Sequence, residues 1–311
     1  MRQSLIIDCD PGVDDAVGLL LAFASPELDI VAVTTVAGNV SLERTTRNAR
    51  IIRQIAGRED VPVFAGADRP LRRPSAEAAE FHGTEGLGGL ETFEPDAPAA
   101  AGSAVDAIIE RVMAHPAGSV AVAVMGPMTN LALALRAEPS LAERLGSVVV
   151  MGGARSEGGN ITASAEFNIW ADPDAAAEVF TSACRVTVLG LDATHQVRST
   201  EARMAAIEAL PGRSARTAAA LLRFSQEVER RIVGWEWAPL HDPCTVAWLL
   251  KPDLFRTMPC EIAVETESDL TRGHTAVEFR VEAATARHHW VVEADAQGVF
   301  DLIAGRLETA P

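Results

Sequence analysis

The sequence contains no tyrosine, so no phenolic hydroxyl is available to any site, and aromatic contacts fall to ten Phe and five Trp. Cysteine is sparse. Cys9, Cys184, Cys244 and Cys260 stand far apart with no C-x-x-C pair, which excludes a disulfide framework and a zinc ribbon. Basic side chains number 27 against 43 acidic ones, for a net charge of -16, and they form no cluster. Nucleic acid and anionic membranes are thereby excluded as partners, because a polyanion is repelled on average. A cation or a neutral polar small molecule is easier to accommodate. Long apolar runs are missing too. The first, Leu5–Ile7, meets a carboxylate at Asp8, too soon for the core of a signal peptide, and no later run is long enough to span a bilayer. The expected location is the cytoplasm.

What the chain does have is the 48% hydrophobic and 23% charged balance of a globular protein large enough to bury a sizeable core. Leu5–Ile7, Ile30–Val36, Val61–Phe64, Val120–Val124, Val148–Met151 and Val186–Leu191 read as strands, with the near-continuous apolarity that a parallel sheet covered on both faces demands. Asp15–Ala24, Leu42–Ala56, Ala104–Ala114, Leu131–Ala137 and Pro173–Ser182 read as the helices between them. Asp172 stands as N-cap before Pro173, and Ser103 precedes the helix that carries Ile108 and Ile109. The pattern predicts a doubly wound α/β fold around a mostly parallel central sheet. Residues 66–102, rich in Gly, Pro, Ala and Glu, read as a lid-like loop, and residues 199–237 as a helical segment ending in Trp235-Glu236-Trp237-Ala238-Pro239. The tail from Cys260 to Val292 alternates like a small antiparallel region, and a last helix is expected from Asp295 to Leu307. With no repeat and no low-complexity linker, residues 1–311 read as a single domain.

Ligands of such folds gather outside the carboxyl ends of the strands, where the strand order reverses. Asp10, Asn39, Gly126 and Gly152 all follow expected strands. The densest chemistry is DCDPGVDDA, residues 8–16, with Asp8, Asp10, Asp14 and Asp15 packed around a Pro11-Gly12 turn. Gathered in one cleft, these carboxylates repel one another unless a cation intervenes. Oxygen-only ligands favour a hard cation such as calcium or magnesium. A helix N-terminus accounts for Asp14 and Asp15 through the dipole, but gives no reason for Asp8 and Asp10. An EF-hand is excluded by spacing: counted from Asp8, the sixth position is Val13 and the twelfth Leu19.

DCDPGVDDA resembles the N-terminal signature of the inosine-uridine nucleoside hydrolase family. The resemblance continues in chain order through Val36-Ala37-Gly38-Asn39, His82-Gly83 with Gly86-Leu87-Gly88, and Gly126-Pro127-Met128-Thr129-Asn130-Leu131-Ala132. Met151-Gly152-Gly153, Asn160, Ala165-Glu166-Phe167-Asn168 and His241-Asp242-Pro243 complete the series. It implies the Rossmann-like fold of that family with extra C-terminal helices, and calcium-dependent hydrolysis of a ribonucleoside to free base and ribose. By the same resemblance calcium is held by Asp10, Asp15, Asp242 and the backbone carbonyl of Met125, together with a water and the two ribose hydroxyls. Asp14, Asn39, Asn160, Glu166 and Asn168 line the ribose pocket, groups suited to hydroxyls that both donate and accept. Met151, Phe167 and His82 complete the substrate contacts, Phe167 and His82 near the base. On an extended segment Glu166 and Asn168 share one side and Phe167 the other. Asp10 is then the general base on the calcium-held water, and His241 the general acid that protonates the departing base. The family also implies a homodimer or homotetramer.

Departures from the family are few. Thr84-Glu85 stands where an Asp usually precedes the Gly-Leu-Gly run. Any tyrosine of the base site is missing, which leaves Arg230, Arg231, Trp235 or Trp237 to fill that end and keeps the base preference open. Two other readings compete. Asp8-Cys9-Asp10 resembles the nucleophile motif of haloacid dehalogenase phosphatases, but Gly12 occupies the place where that motif has Thr or Val, and Glu166, Asn168 and His241 gain no role. A silent calcium- and ribose-binding protein is the third, against which stands the joint presence of Asp10 and His241.

Overall fold

The computed structural model describes residues 2–310. Its strands are β1 (Gln3–Cys9), β2 (Leu28–Thr35), β3 (Val63–Ala65), β4 (Val120–Val124), β5 (Val148–Met151), β6 (Val186–Leu189), β7 (Phe255–Val264), β8 (Thr275–Glu278) and β9 (His288–Ala294). They form one sheet in the order β3-β2-β1-β4-β5-β6-β9-β7-β8. The pairs from β3 to β9 are parallel, whereas β7 runs antiparallel to both β9 and β8. The alternating tail therefore extends the main sheet, and it begins at Phe255, earlier than the expected Cys260. The chain winds outward from β1 to β3, then crosses to β4, so the order reverses between β1 and β4.

Successive side chains of a strand point to opposite faces. In β1, Leu5, Ile7 and Cys9 join the core beneath the helices Val13–Phe23, Leu42–Ile55, Pro243–Leu250 and Ala296–Leu307. Ile6 joins the opposite core, under Ala104–Ala114, Thr129–Ala137 and Pro173–Thr181. Each fully buried Leu or Ile contributes roughly 1.5–3 kcal/mol, so two-sided burial is what holds the sheet centre. Pro62 explains why β3 starts later than the expected Val61: it has no N–H to give to the ladder. The first helix starts at Val13, two residues before the expected Asp15, because the Asp15 carboxylate accepts from the Gly12 N–H at 3.0 Å and caps the first turn from within.

Residues 66–102 hold one short helix, Ala79–His82, and little other regular structure. The second half is nevertheless strapped down. Arg50 and Arg53 donate to the carbonyls of Pro95 and Ala97, at 2.7–3.0 Å. Glu85 meets Arg47 at 2.6 Å, so the residue that departs from the family pattern faces the helix Leu42–Ile55. Among the described residues, no helix is long and apolar enough to cross a membrane.

Asp172 is buried and joins three segments. It accepts from Ala175 N–H as N-cap (3.1 Å), from Leu71 N–H (2.9 Å) and from the Thr129 hydroxyl (2.7 Å). Asp172→Ala is expected to lower the free energy of unfolding by roughly 2 kcal/mol or more, read from urea titration, and an unchanged midpoint contradicts this account.

Candidate active site

A cavity of about 280 Å³ opens at the carboxyl ends of β1, β4 and β5, where the sheet order reverses. Asp14, Asn39, His82, Met125, Met151, Asn160, Glu166, Phe167, Asn168, His241 and Asp242 all line it. Asp10 and Asp15 do not reach its surface; they lie fully buried directly behind. The residues expected at the metal, the ribose and the base by motif are thus brought to one cavity or directly behind it, from segments spread along most of the chain.

The floor is anionic. Asp14, Asp15 and Asp242 each bring a carboxylate oxygen within 4.8 Å of the others. Asp15 is the most heavily bonded, accepting from the N–H groups of Asp10 (3.1 Å) and Gly12 (3.0 Å) and from Asn39 Nδ2 (3.0 Å). Asp10 Oδ2 accepts from the Asn39 N–H at 2.7 Å, while its buried Oδ1 has no partner. Asp14 Oδ1 is likewise buried and unpartnered. Only glycine fits beside Asp10: a Cβ on Gly38 or Gly126 would fall 2.1 or 2.4 Å from its carboxylate oxygens. One glycine in each of the Val36–Asn39 and Gly126–Ala132 motifs therefore presses its backbone against the same carboxylate. Asp8 sits one step deeper, accepting from the Thr34 hydroxyl (2.6 Å) and Asn130 Nδ2 (2.8 Å), and does not line this cavity.

Burial dominates the electrostatics here. It raises Asp10 and Asp242 well above the ordinary carboxylate range, with the neighbouring aspartates adding to it, and lifts Asp15 to about 7. An all-oxygen donor set with unpartnered buried oxygens fits a hard divalent cation, which removes both the desolvation cost and the repulsion.

Polar groups rim the floor. Glu166 is not on an extended strand, as the alternating reading expected. It is the N-cap of the helix Phe167–Ala171, and its carboxylate accepts from Asn168 N–H (3.0 Å), Ile169 N–H (3.3 Å) and Gly153 N–H (2.9 Å). Asn168, in the first turn, donates to the carbonyls of Met125 (2.8 Å) and Met151 (3.2 Å), which ties the ends of β4 and β5 together. Asn160 Oδ1 accepts from the Phe167 N–H at 2.9 Å. Helix geometry thus brings the two polar side chains to the cavity by a different route.

Three histidines stand above this rim. The Val13 N–H donates to His82 Nδ1 at 3.1 Å, which leaves the proton of the neutral ring on Nε2. His241 Nδ1 lies 2.8 Å from the Thr194 hydroxyl. Burial, with His195, His82 and Arg198 adding to it against the pull of Asp14, pushes His241 down to about 4, so the ring is neutral at neutral pH. His195 is the third, and motif reading missed it. So too were Glu157, Phe81, Ser225, Val228, Glu229 and Val233, which also line the cavity. Of the candidates for the base end, Trp235 lines the cavity; Trp237 does not, and Arg230 and Arg231 are exposed elsewhere. The 199–237 segment forms the helices Glu201–Glu208 and Arg213–Ile232, and the latter supplies Ser225, Val228 and Glu229. Its amphipathic pattern gave no sign of which polar positions meet a cavity.

Comparison with known proteins agrees with this geometry. The family profile described as inosine-uridine preferring nucleoside hydrolase matches residues 5–301. The pyrimidine-specific ribonucleoside hydrolase RihA of Salmonella gallinarum is 41% identical over 310 residues, covering 99% of both chains. A plant nucleoside hydrolase structure superposes with a TM-score of 0.93 at 31% identity, covering 99% of this chain and 100% of that one. A purine-preferring ribonucleoside hydrolase from Gardnerella vaginalis gives 0.91 at 32%, covering 98% and 99%.

Asp15 and Glu166, both raised to about 7 by burial, bind protons in the folded state that they release when unfolded. Their contribution to stability is therefore present below the ordinary carboxylate range and is lost as pH rises through about 7. Without divalent cations, the melting temperature is expected to fall between about pH 5 and pH 8. Calcium at one fixed concentration, roughly 100 times its Kd at pH 8, is expected to restore about 5 °C or more at pH 8 and less at pH 5, where protons compete for the carboxylates. A calcium effect of equal size at both pH values, in scanning fluorimetry, contradicts the buried-carboxylate account.

Proposed function

The chain belongs to the inosine-uridine preferring nucleoside hydrolase family and hydrolyses the N-glycosidic bond of ribonucleosides, and we propose that it does so with calcium on the buried carboxylate floor, Asp10 as base and His241 at the departing nucleobase. The observation that carries this reading is the cluster of Asp14, Asp15 and Asp242 oxygens within 4.8 Å of one another, with Asp14 Oδ1 and the neighbouring Asp10 Oδ1 both buried and unpartnered. Asp10, Asp15, Asp242 and the Met125 carbonyl would hold the ion. When bound, such a cation would neutralise the floor, grip the vicinal hydroxyls of ribose and acidify the attacking water.

The remaining chemistry belongs to the chain's own residues. Asp10 takes the proton of the attacking water, and its dry setting makes it a stronger acceptor than a solvated carboxylate. Asn39 holds that carboxylate in place through its N–H. Asp14, Asn160, Glu166 and Asn168 bind ribose hydroxyls, and the carboxylates of Asp14 and Glu166 favour the positive charge that grows on the sugar as the C–N bond breaks. His241 is neutral at working pH, so it serves by a hydrogen bond from Nε2–H to the leaving nitrogen as negative charge grows there, with the Thr194 hydroxyl donating to Nδ1 from behind. Phe167 and Trp235 give the base its apolar surroundings.

Pyrimidine ribonucleosides are the preferred substrates on this reading. Its support is full-length identity of 41% to a hydrolase described as pyrimidine-specific, against 32% to one described as purine-preferring. The chain is further read as a single domain, since both core layers share one sheet. Four buried free cysteines are in keeping with a cytoplasmic location, and a homodimer or homotetramer follows from the family resemblance.

A reducing-sugar assay on uridine, cytidine, inosine and adenosine, with and without chelator, tests this directly. Ribose release that a chelator abolishes is expected, with kcat/KM for uridine about tenfold or more above that for inosine. No ribose from any of the four in added calcium sinks the reading; faster turnover of inosine sinks the base preference alone. His241→Ala is expected to lower kcat on inosine by about 10²–10⁴, with KM little changed. Because the imidazole is already neutral, activity is not expected to decline between about pH 6 and pH 8 through loss of its proton. Wild-type turnover in His241→Ala removes that residue from the mechanism.

A further inference from the structure

Two segments remote in sequence bring exposed side chains to the cavity and form two of its lips. One follows β5 and brings Glu157, Gly159, Asn160 and Ile161; the other follows the helix Arg213–Ile232 and brings Val233 and Trp235. Each carries an exposed aliphatic side chain at the cavity, Ile161 at 37% and Val233 at 45% exposure. Neither stretch belongs to a helix or a strand, so no backbone ladder fixes one against the other.

Both are tied instead to the short helix Leu191–Thr194 and to His195, which follows it. Asp192 accepts from the N–H groups of Arg155 and Ser156, each at 2.8 Å. His195 Nδ1 meets Glu157 Oε2 at 3.0 Å. The same imidazole stands edge-on to the Trp235 indole, with ring centroids 4.9 Å apart and planes at 87°. Arg198 lies 4.4 Å from that indole, and donates to the carbonyls of His195 (3.0 Å) and Trp237 (3.3 Å). His195 is therefore joined to both lips, while its neighbour Thr194 holds His241.

We propose that His195 and Glu157 form a latch that keeps the two lips together over the leaving nucleobase, making the pair a determinant of affinity for the base end of the substrate. The proposal rests on the hydrolase reading above and deepens it. Aromatic and aliphatic walls are what a planar base requires, and they act only while they face one another across the cavity. The latch is separate from the floor: Glu157 and His195 make no hydrogen bond to Asp10, Asp14, Asp15 or Asp242. His195 is 10% exposed and Glu157 46%, so the contact has the strength of a half-screened, charge-assisted hydrogen bond, roughly a three- to tenfold effect.

The test compares KM for uridine with the inhibition constant of free ribose, in the full chain supplied with calcium. Ribose engages the floor alone. Glu157→Ala and His195→Ala are expected to raise uridine KM roughly three- to tenfold, a larger change than in kcat or in ribose inhibition. The double variant is expected to be no worse than His195→Ala, because both substitutions remove one contact. Glu157→Gln keeps an oxygen acceptor for Nδ1–H and is expected to recover most of the loss seen with Ala. Losses that multiply in the double variant, ribose inhibition weakening in step with KM, or wild-type KM in the well-exposed Glu157→Ala would each overturn the latch. A wild-type chain that releases no ribose overturns the hydrolase reading itself, and the latch falls with it.

Discussion

Three carboxylates taken out of water where the end of β1 and the start of the helix Pro243–Leu250 meet set the terms for the rest of this molecule. Two unit charges 4 Å apart repel by about 4 kcal/mol at an effective dielectric of 20, and desolvation adds to each. Asp10, Asp15 and Asp242 carry that load with at most 3% of their surface exposed. Backbone N–H groups of Asp10, Gly12 and Asn39 point their dipoles at these oxygens, which offsets part of the cost without neutralising it. The balance is left for a cation. A floor so arranged is poorly satisfied when empty and well satisfied when loaded, which is the condition for tight and selective binding of a hard ion.

Position in the fold makes this arrangement affordable to the chain as a whole. The floor lies where β1 and β4 diverge, so no crossover covers it, and both core layers anchor the strands that deliver it. Glycine at 38 and 126 lets two backbones press on Asp10, and that contact fixes the carboxylate rotamer from both sides. Rigid elements thus hold the groups whose geometry matters most for bond breaking, as catalysis by positioning demands.

Legibility in the sequence followed the same division. Strand centres such as Val120–Val124 and Val148–Met151 were readable to the residue, because an apolar run buried on both faces has no competing interpretation at that length. Asp10, Asp14 and Asp15 stood out because they crowd into six residues after a buried strand, where carboxylates conflict with burial unless they serve an ion, whereas Asp242 was reached only through the family resemblance. Glu166 was found for its residue type but with the wrong backbone: alternation suggested a strand, whereas its carboxylate caps a helix. His195, Glu157 and Glu229 gave no such conflict. A histidine after a short helix, or a glutamate on an amphipathic helix, is satisfied equally well by solvent, so only the tertiary fold reveals that these side chains meet at one cavity.

That contrast bears on how hydrolases of one floor come to differ in the base they accept. Ribose and the cation are common to every ribonucleoside reaction of this kind, so the floor and rim have little freedom to change. The base end is built from separate loops, and each side chain there contributes a contact whose loss costs about 1–3 kcal/mol, a 10- to 200-fold change in discrimination. A wall made of loops can shift by such steps without disturbing strands packed on both faces. On the proposed reading, selectivity between purine and pyrimidine is then a property of how firmly the lips are held and how far apart, while the chemistry stays with the carboxylates. Proteins similar to this chain carry different names for their substrates, one pyrimidine-specific and one purine-preferring.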